Sequence, residues 1–210
     1  MSHLTESQIN EVDAILSSRK HYACEAVVIG ASAGGIKALL KLLSGLPEYF
    51  SLPIIIVLHM PEIFESKLAE IFQQHLALPV QQARDKQMIC PGHIYFAPPG
   101  YHLSVEMERS FSLSCEQPVH FSRPAIDLLM NSAADAYASS LVGILLTGAS
   151  EDGAAGLANI KNAGGLTIVQ DPVEAEFATM PRAAINMQPP DLILSIKNMH
   201  SVLVQLAASC

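Results

Sequence analysis

The sequence lacks any long apolar run and any leader-like start. No apolar stretch reaches the roughly 20 residues that a membrane-spanning helix needs. The first residues, MSHLTESQINEVDAILSSRK, have neither the basic start nor the apolar stretch of a secretory signal. We therefore expect a soluble, cytoplasmic protein with no membrane insertion.

Basic residues are also scarce. The chain has 12 Lys and Arg against 20 Asp and Glu, which gives a formal net charge of −8. Proteins that bind nucleic acids need clustered Lys and Arg side chains to displace counterions, and no such cluster occurs here. The composition argues against a nucleic-acid partner.

Cysteines are few and far apart. The four are Cys24, Cys90, Cys115 and Cys210, and none forms a C-x-x-C pair. This spacing favours neither a zinc site nor a disulfide framework, and reduced thiols are usual in the cytosol. We expect these cysteines to be small, buried side chains.

Apolar residues make up 50% of the 210 residues, enough to form the core of one α/β domain. Continuous apolar runs alternate with segments of helical periodicity, and the runs predicted as strands are AVVI, LPIIIVLHM, LVGILLTG, LTIVQD and DLILSI. Strands of this kind occur in a parallel sheet that is covered on both faces. We therefore predict a three-layer α/β/α architecture with a mainly parallel sheet.

Three segments outside this alternation have their own patterns. Residues 5–18 have capping-box spacing and predict a short helix, within an N-terminal helix or linker of residues 1–22 that precedes a single domain of residues 23–210. The segment GHIYFAPPGYHLSVEMERSFSLSCEQ has short strands with polar breaks and predicts an antiparallel hairpin excursion. Ser122 is a candidate N-cap, with Pro124 in the first turn of a helix that continues to about Tyr137.

The stretch VVIGASAGGIKALLKLL, residues 27–43, combines a strand, a glycine-rich turn and an amphipathic helix. Such a turn can cradle a phosphate or expose a nucleophile. A dinucleotide fingerprint needs a glycine where Ser32 stands and an acidic residue where the second strand ends in His59. The G-K-[ST] of a phosphate-binding P-loop is also absent, so the nucleotide interpretation fits poorly.

The spacing Gly30-x-Ser32-x-Gly34 between a strand and a helix matches a nucleophile elbow, in which small neighbours permit the sharp turn that exposes a hydroxyl. The N–H groups that open the next helix also favour an oxyanion nearby. The alternative is that Ser32 only caps that helix.

A serine nucleophile needs a base and a group that orients the base. His59 directly ends the predicted strand IIIVL, so it would lie beside Ser32 at the carboxyl edge of a parallel sheet. Glu151 and Asp152 follow the strand LVGILL. Asp152 is the candidate third member, although it could instead cap the helix that begins at Ala154, and Asp171 competes for the role.

From Ala26 to about Ala208 the chain resembles the catalytic domain of the chemotaxis protein-glutamate methylesterases. The resemblance rests on the motifs IGASAGG, LHMP, PGHIYFAPPGYH, RPAIDLL, GILLTGASEDGAAGL and MPRAAI, in this order. It implies that Ser32 is the nucleophile, His59 the general base and Asp152 the residue that orients His59. It also implies a doubly wound, Rossmann-like sheet and no cofactor.

The same resemblance implies a reaction and partners. The reaction would be hydrolysis of glutamate γ-methyl esters on chemoreceptors, with release of methanol and, in many members, deamidation of receptor glutamines. The partners would be methylated cytoplasmic receptor helices. Many members carry an N-terminal phosphoacceptor receiver domain, whereas about 22 residues precede the first strand here. The esterase would then be unregulated by its own phosphorylation, regulated by a separate protein of the phosphorelay, or part of a longer chain.

Two positions depart from the usual family motifs. Ala33 stands where a threonine is usual, and Ala149 stands where many members have methionine. Both can still supply a backbone N–H, so they are the predicted oxyanion donors. Two rival functions remain open: a small-molecule carboxylesterase with the same three residues, and a catalytically silent module that binds receptors or signalling proteins.

Overall fold

The computed structural model describes residues 24–60 and 67–208. The predicted N-terminal helix over residues 5–18 lies outside this range. In the described ranges the chain forms a central sheet with helices on both sides and a separate hairpin.

The central sheet has seven strands, and every neighbouring pair in it is parallel. Its order is β3-β4-β2-β1-β7-β8-β9, and β5 and β6 form a two-stranded antiparallel sheet. The nine strands are β1 (Ala26–Ala31), β2 (Ile54–Leu58), β3 (Val80–Gln82), β4 (Ile94–Phe96), β5 (His102–Val105), β6 (Phe111–Ser114), β7 (Leu141–Leu145), β8 (Leu166–Gln170) and β9 (Leu192–Leu194). The predicted parallel sheet and hairpin are confirmed.

Six α-helices complete the described fold. They are α1 (Gly35–Leu43), α2 (Leu68–Gln73), α3 (Ile126–Tyr137), α4 (Ala154–Asn162), α5 (Thr179–Met187) and α6 (Ile196–Ala208), and a 3₁₀ turn (Ala138–Ser140) follows α3. None of them is long and apolar enough to span a membrane.

Two apolar cores lie on opposite faces of the sheet. Alternate residues of β1 point to opposite sides, so Val27 and Ile29 join one core while Ala26 and Val28 join the other. The first core contains side chains of α1, α2 and α6, and the second contains side chains of α3, α4, α5 and the hairpin. Burial on both faces explains why the strands are continuously apolar, and it confirms the three-layer architecture.

The predicted hairpin excursion began too early in the chain. Ile94–Phe96 is β4, a fully buried strand that pairs in parallel with both β2 and β3. Only residues 102–114 form the antiparallel hairpin. The short apolar run IYF could form either a central parallel strand or a hairpin strand. The two differ in the strands with which they pair, and the sequence of the run does not show its pairing partners.

The predicted N-cap at Ser122 is wrong. Helix α3 starts at Ile126, and the N-cap position is held by Ala125, which offers no side-chain cap. Ser122 instead closes a tight turn with Val119, in which each residue's N–H donates to the other's carbonyl oxygen. The peptide bond between Arg123 and Pro124 is cis.

The expectation of buried cysteines is also wrong for Cys90 and Cys115, which are exposed.

Chain direction across the sheet locates the place where a site can form. From β1 the chain passes to β2 on one side, and it later returns to β7 on the other side of β1. In open α/β sheets, ligands bind beyond the carboxyl ends of the strands at such a switch point.

Candidate active site

Ser32 and His59 follow directly on two neighbouring strands at this switch point. Ala31 pairs with Leu58 in the register of β1 and β2, and the His59 N–H donates to the Ala31 carbonyl over 3.0 Å. The next residues along both strands therefore emerge side by side at the carboxyl edge. This placement agrees with the prediction from the strand ends.

The turn that carries Ser32 is fixed by backbone hydrogen bonds. The Ser32 N–H donates to the Thr147 carbonyl over 3.0 Å, and the Gly35 N–H donates to the Ser32 carbonyl over 2.8 Å. Gly34 has φ 78°, a left-handed conformation that glycine adopts without strain, and it occupies the N-cap position of α1. Ser32 is therefore not the N-cap of this helix, which removes the capping alternative.

His59 and Asp152 form a directly bonded pair. The His59 Nε2 lies 2.8 Å from Asp152 Oδ2, and the Asp152 side chain is fully buried while that of His59 is 11% exposed. An ionised carboxylate only accepts hydrogen bonds, so the proton of this bond belongs to Nε2. Nδ1 is then the nitrogen of His59 that carries the lone pair.

The Asp152 carboxylate also accepts two backbone N–H groups. Oδ2 accepts the N–H of Ile126 over 2.8 Å, and Oδ1 accepts the N–H of Asp127 over 3.0 Å. Burial by itself raises the pKa of Asp152, but the hydrogen bonds from His59, Ile126 and Asp127 outweigh burial and hold the pKa below its usual value. Asp152 is thus held as a fixed anion.

The three candidate acidic residues differ in their contacts. Helix α4 does begin at Ala154, but its N-cap position is Gly153 and Asp152 bonds to the start of α3 instead. The Asp171 carboxylate accepts the N–H of Val173, two residues further on. The Glu151 side chain is largely exposed and lies 3.8 Å from His120. Of the three acids, Asp152 is the one bonded to His59.

Ser32 is near the pair but not bonded to it. In the ranges 24–60 and 67–208 no hydrogen bond joins the Ser32 hydroxyl to His59, and the Nδ1 of His59 lies 3.4 Å from the hydroxyl oxygen of Ser122. Catalytic hydrogen bonds are often long or poorly aligned before substrate binds. The structure therefore joins two of the three predicted residues and places the third on the adjacent strand end.

The predicted oxyanion donors lie on the two loops that border Ser32. Within the described part of the chain, neither the Ala33 N–H nor the Ala149 N–H donates a hydrogen bond to another backbone group. The Thr147 hydroxyl donates to the Ala33 carbonyl over 2.9 Å and so ties the two loops together.

Sequence reasoning missed three polar residues that lie beside this pair. Ser122 contacts His59, His120 lies 3.5 Å from Asp127, and Asp127 is 7% exposed. The only sequence signal for Asp127 is its place in the motif RPAIDLL. In residues 24–60 and 67–208, no group of three or more His, Cys, Asp or Glu side chains is arranged to hold a metal ion.

Comparison with known proteins identifies the family of the chain. The sequence model of the CheB methylesterase family matches residues 27–203. A Leptospira interrogans protein, provisionally named a protein-glutamate methylesterase/protein-glutamine glutaminase, is 43% identical over 182 residues, which cover 87% of this chain and 94% of that protein. A Clostridium acetobutylicum protein-glutamate methylesterase/protein-glutamine glutaminase is 36% identical over 87% of this chain and 53% of its own length.

A solved structure shows the same fold. The crystal structure of the Thermotoga maritima CheB methylesterase catalytic domain is 32% identical in sequence, with a TM-score of 0.83 over 87% of this chain and 98% of that one. The chain spans about half of the longer Clostridium relative and nearly all of this catalytic domain. The chain belongs to the CheB methylesterase family.

Proposed function

We propose that the protein is a serine hydrolase that removes methyl groups from glutamate γ-methyl esters of chemoreceptors during chemotactic adaptation. The observation that carries the proposal is the 2.8 Å hydrogen bond between His59 and Asp152, beside the strand turn that presents Ser32. A serine, an imidazole and a buried carboxylate at neighbouring strand ends are the parts of an acyl-transfer site. Family membership supports the same reaction.

The first half of the reaction forms an acyl-enzyme. Ser32 Oγ bonds to the ester carbonyl carbon and gives its proton to His59 Nδ1, the nitrogen opposite the one that Asp152 holds. The backbone N–H groups of Ala33 and Ala149 bind the oxyanion. When the carbon–oxygen bond to the methoxy group breaks, methoxide takes the proton from His59 and leaves as methanol.

The second half returns the enzyme to its starting state. Water gives a proton to His59 as its oxygen attacks the carbonyl carbon of the Ser32 ester. The bond from that carbon to Ser32 Oγ then breaks, Ser32 Oγ takes the proton back from His59, and the receptor glutamate leaves as the free acid. Glutamine deamidation is proposed on the same site, because an amide passes through the same acyl-enzyme with ammonia as the leaving group. The names of the relatives include both activities.

The proposal includes the setting of the reaction. The substrate is a methylated cytoplasmic helix of a receptor, so the enzyme works in the cytoplasm without a cofactor, without nucleic acid and without entering the membrane. A separate protein of the signalling phosphorelay is the proposed regulator. The formal charge of −8 suits a partner with basic or neutral flanks around the methylated glutamates.

The test is methanol release from methylated receptor, with Ser32→Ala as the matched inactive control. We expect release by the wild-type protein and none above background by the variant. Much faster turnover of simple esters than of receptor would favour a small-molecule carboxylesterase. Tight receptor binding without hydrolysis, together with an unreactive Ser32 toward acylating probes, would favour a silent binding module.

A further inference from the structure

Asp127 is a second buried carboxylate beside the site, and the proposed mechanism leaves it without a role. Its Oδ1 accepts the N–H of Gly153 over 3.0 Å and the N–H of Gly156 over 2.7 Å. These two groups belong to the N-cap and the first turn of α4. A buried carboxylate with two backbone donors in this geometry is a helix cap supplied from another part of the chain.

The arrangement is reciprocal. Asp152, which precedes α4, accepts the first two N–H groups of α3, and Asp127, in the first turn of α3, accepts N–H groups at the start of α4. Neither helix has a side-chain cap at its own N-cap position. Asp127 caps the start of α4 and so helps to position Asp152, which lies just before α4. Asp152 in turn caps the start of α3, the helix that carries Asp127.

Close packing leaves the two helix starts little freedom to move apart. A Cβ atom added to Gly156 would lie 2.6 Å from the Met130 Cβ and 3.1 Å from the Asp127 Cα, so the two helices are in near-backbone contact there. The side chain that bridges this contact fixes the direction in which α4 begins. The position of Asp152, two residues before α4, follows from that direction.

Two further titratable side chains lie near Asp127. Oδ2 lies 3.5 Å from His120 Nε2, and His120 in turn lies 3.8 Å from Glu151 Oε1. Burial raises the pKa of Asp127 above its usual value, and the charge of Asp152 adds to the rise against the hydrogen bonds from Gly156 and Gly153. Oδ1 can accept the N–H groups of Gly153 and Gly156 whether the carboxyl group is ionised or carries a proton on Oδ2.

We propose that Asp127 is a positioning residue that holds the Asp152 carboxylate in register with His59 through the reciprocal caps of α3 and α4. The inference rests on the proposed function only for its catalytic consequence. Its structural content, the fixed tautomer and orientation of His59, can be measured in a protein that hydrolyses nothing.

The experiment compares Asp127→Asn with Asp127→Ala. Asparagine keeps an oxygen that can accept both N–H groups, so it should keep the Nε2–H tautomer of His59 and a kcat close to wild type. Alanine removes the acceptor, so Asp152 loses its fixed position. We expect kcat for methanol release to fall about ten- to a hundredfold, the scale of a small misplacement of a catalytic group, with KM unchanged.

The tautomer is read from the ¹H–¹⁵N correlation spectrum of the imidazole rings, with His59→Gln to assign the signals. In Asp127→Ala we expect a mixture of the two neutral tautomers. This readout needs no turnover. If the wild-type protein releases no methanol, and Asp127→Ala still changes the tautomer of His59, the proposed function is rejected and the inference is retained.

Asp191→Ala is the control for loss of a carboxylate that accepts two hydrogen bonds away from the site. Asp191 accepts the N–H and hydroxyl of Thr167 and lies 3.4 Å from Lys161 in the last turn of α4, so its loss should lower stability without changing the start of α4, His59 or kcat. A folded Asp127→Ala protein with wild-type kcat and a wild-type tautomer would overturn the inference. If the alanine variant does not fold, Asp127→Glu replaces it, because its longer side chain misplaces the acceptor, and the same result would be equally decisive.

Discussion

At the scale of single residues, Asp152 serves three donors with two oxygen atoms. Its carboxylate accepts the ring N–H of His59 and the backbone N–H groups of Ile126 and Asp127, with no exposed surface. Asparagine at this position would turn an amide N–H₂ toward at least one of these donors. The residue therefore combines a proposed catalytic role with a structural one, and its substitution should affect both.

We expect Asp152→Asn to lower kcat by roughly 10⁴-fold, the loss seen when the corresponding change in a serine protease favours the wrong imidazole tautomer. Stability should fall by about 1 to 3 kcal/mol because a buried N–H loses its acceptor. Activity is measured by methanol release at a temperature where circular dichroism shows the variant to be folded. The matched control is Asp171→Asn, and a large loss there with near-normal activity in Asp152→Asn would contradict the assignment.

The two buried aspartates should change stability with pH in opposite directions. The lowered pKa of Asp152 means that its stabilising contribution is present above the unfolded value of about 3.9 and is lost as the pH falls through the folded-state pKa. The raised pKa of Asp127 means that its contribution is present below about 3.9 and is lost as the pH rises through the folded-state pKa.

Urea unfolding between about pH 3 and about pH 7 measures this difference. Relative to wild type, Asp152→Asn should lose more stability at the neutral end, and Asp127→Asn should lose more at the acid end, because asparagine does not titrate. Parallel stability curves for both variants and the wild type would show that neither carboxyl titrates differently on folding.

At the scale of elements, Thr147 joins the turn after β1 to the segment before α5. Its hydroxyl donates to the Ala33 carbonyl over 2.9 Å and accepts the N–H of Phe177 over 2.9 Å, and its own carbonyl accepts the N–H of Ser32. Thr147 is 1% exposed, so water does not replace these partners easily. The shape of the Ser32 turn therefore depends on a residue of the loop after β7.

We expect Thr147→Val to lower kcat while Thr147→Ser keeps it near the wild-type level. Valine preserves the shape but removes the partner of the Ala33 carbonyl and of the Phe177 N–H, at a cost of about 0.5 to 1.5 kcal/mol for each hydrogen bond lost. Serine keeps the hydroxyl and loses one methyl group, worth about 0.8 kcal/mol. Kinetics and thermal unfolding of both variants provide the check, and equal kcat values would show that the hydroxyl does not shape the turn.

The start of helix α3 could not be predicted correctly from the sequence. Helix α3 was predicted to begin near Ser122, although its start is capped by Asp152, 26 residues away along the chain from Ile126. Local patterns reveal caps that lie next to a helix in sequence, and they contain no information on a cap from another loop. Asp127 and His120 were overlooked for the same reason, since their partners are set by packing.

At the scale of the whole molecule, the site lies over the middle of the sheet. Strands β1, β2 and β7 carry Ser32, His59 and the Asp152 loop, and every residue of these strands is buried. Their continuous apolar character is what made the strands, the parallel sheet and the strand-end residues predictable from sequence. The short strand β4 was misplaced because three apolar residues do not identify their neighbours.

Amide hydrogen exchange should separate the centre of the sheet from its edge. We expect the amides of β1, β2 and β7 to exchange only through global unfolding, and those of β3, an edge strand whose three residues are all half-buried, to exchange through local opening. Urea dependence of the exchange rates distinguishes the two routes. Local opening of β1 at low urea would show that the site lies on a less stable part of the fold.

The reciprocal caps also have a consequence for folding kinetics. The N–H groups at the start of α3 gain their acceptor, Asp152, only when the loop before α4 has docked. The N–H groups at the start of α4 likewise gain Asp127 as their acceptor only when α3 has docked. The bond from Asp152 to His59 belongs to this same assembly, so it forms with long-range docking rather than with either helix alone. During refolding, catalytic competence should return no earlier than native tertiary structure, and helical content alone would overestimate the recovered enzyme.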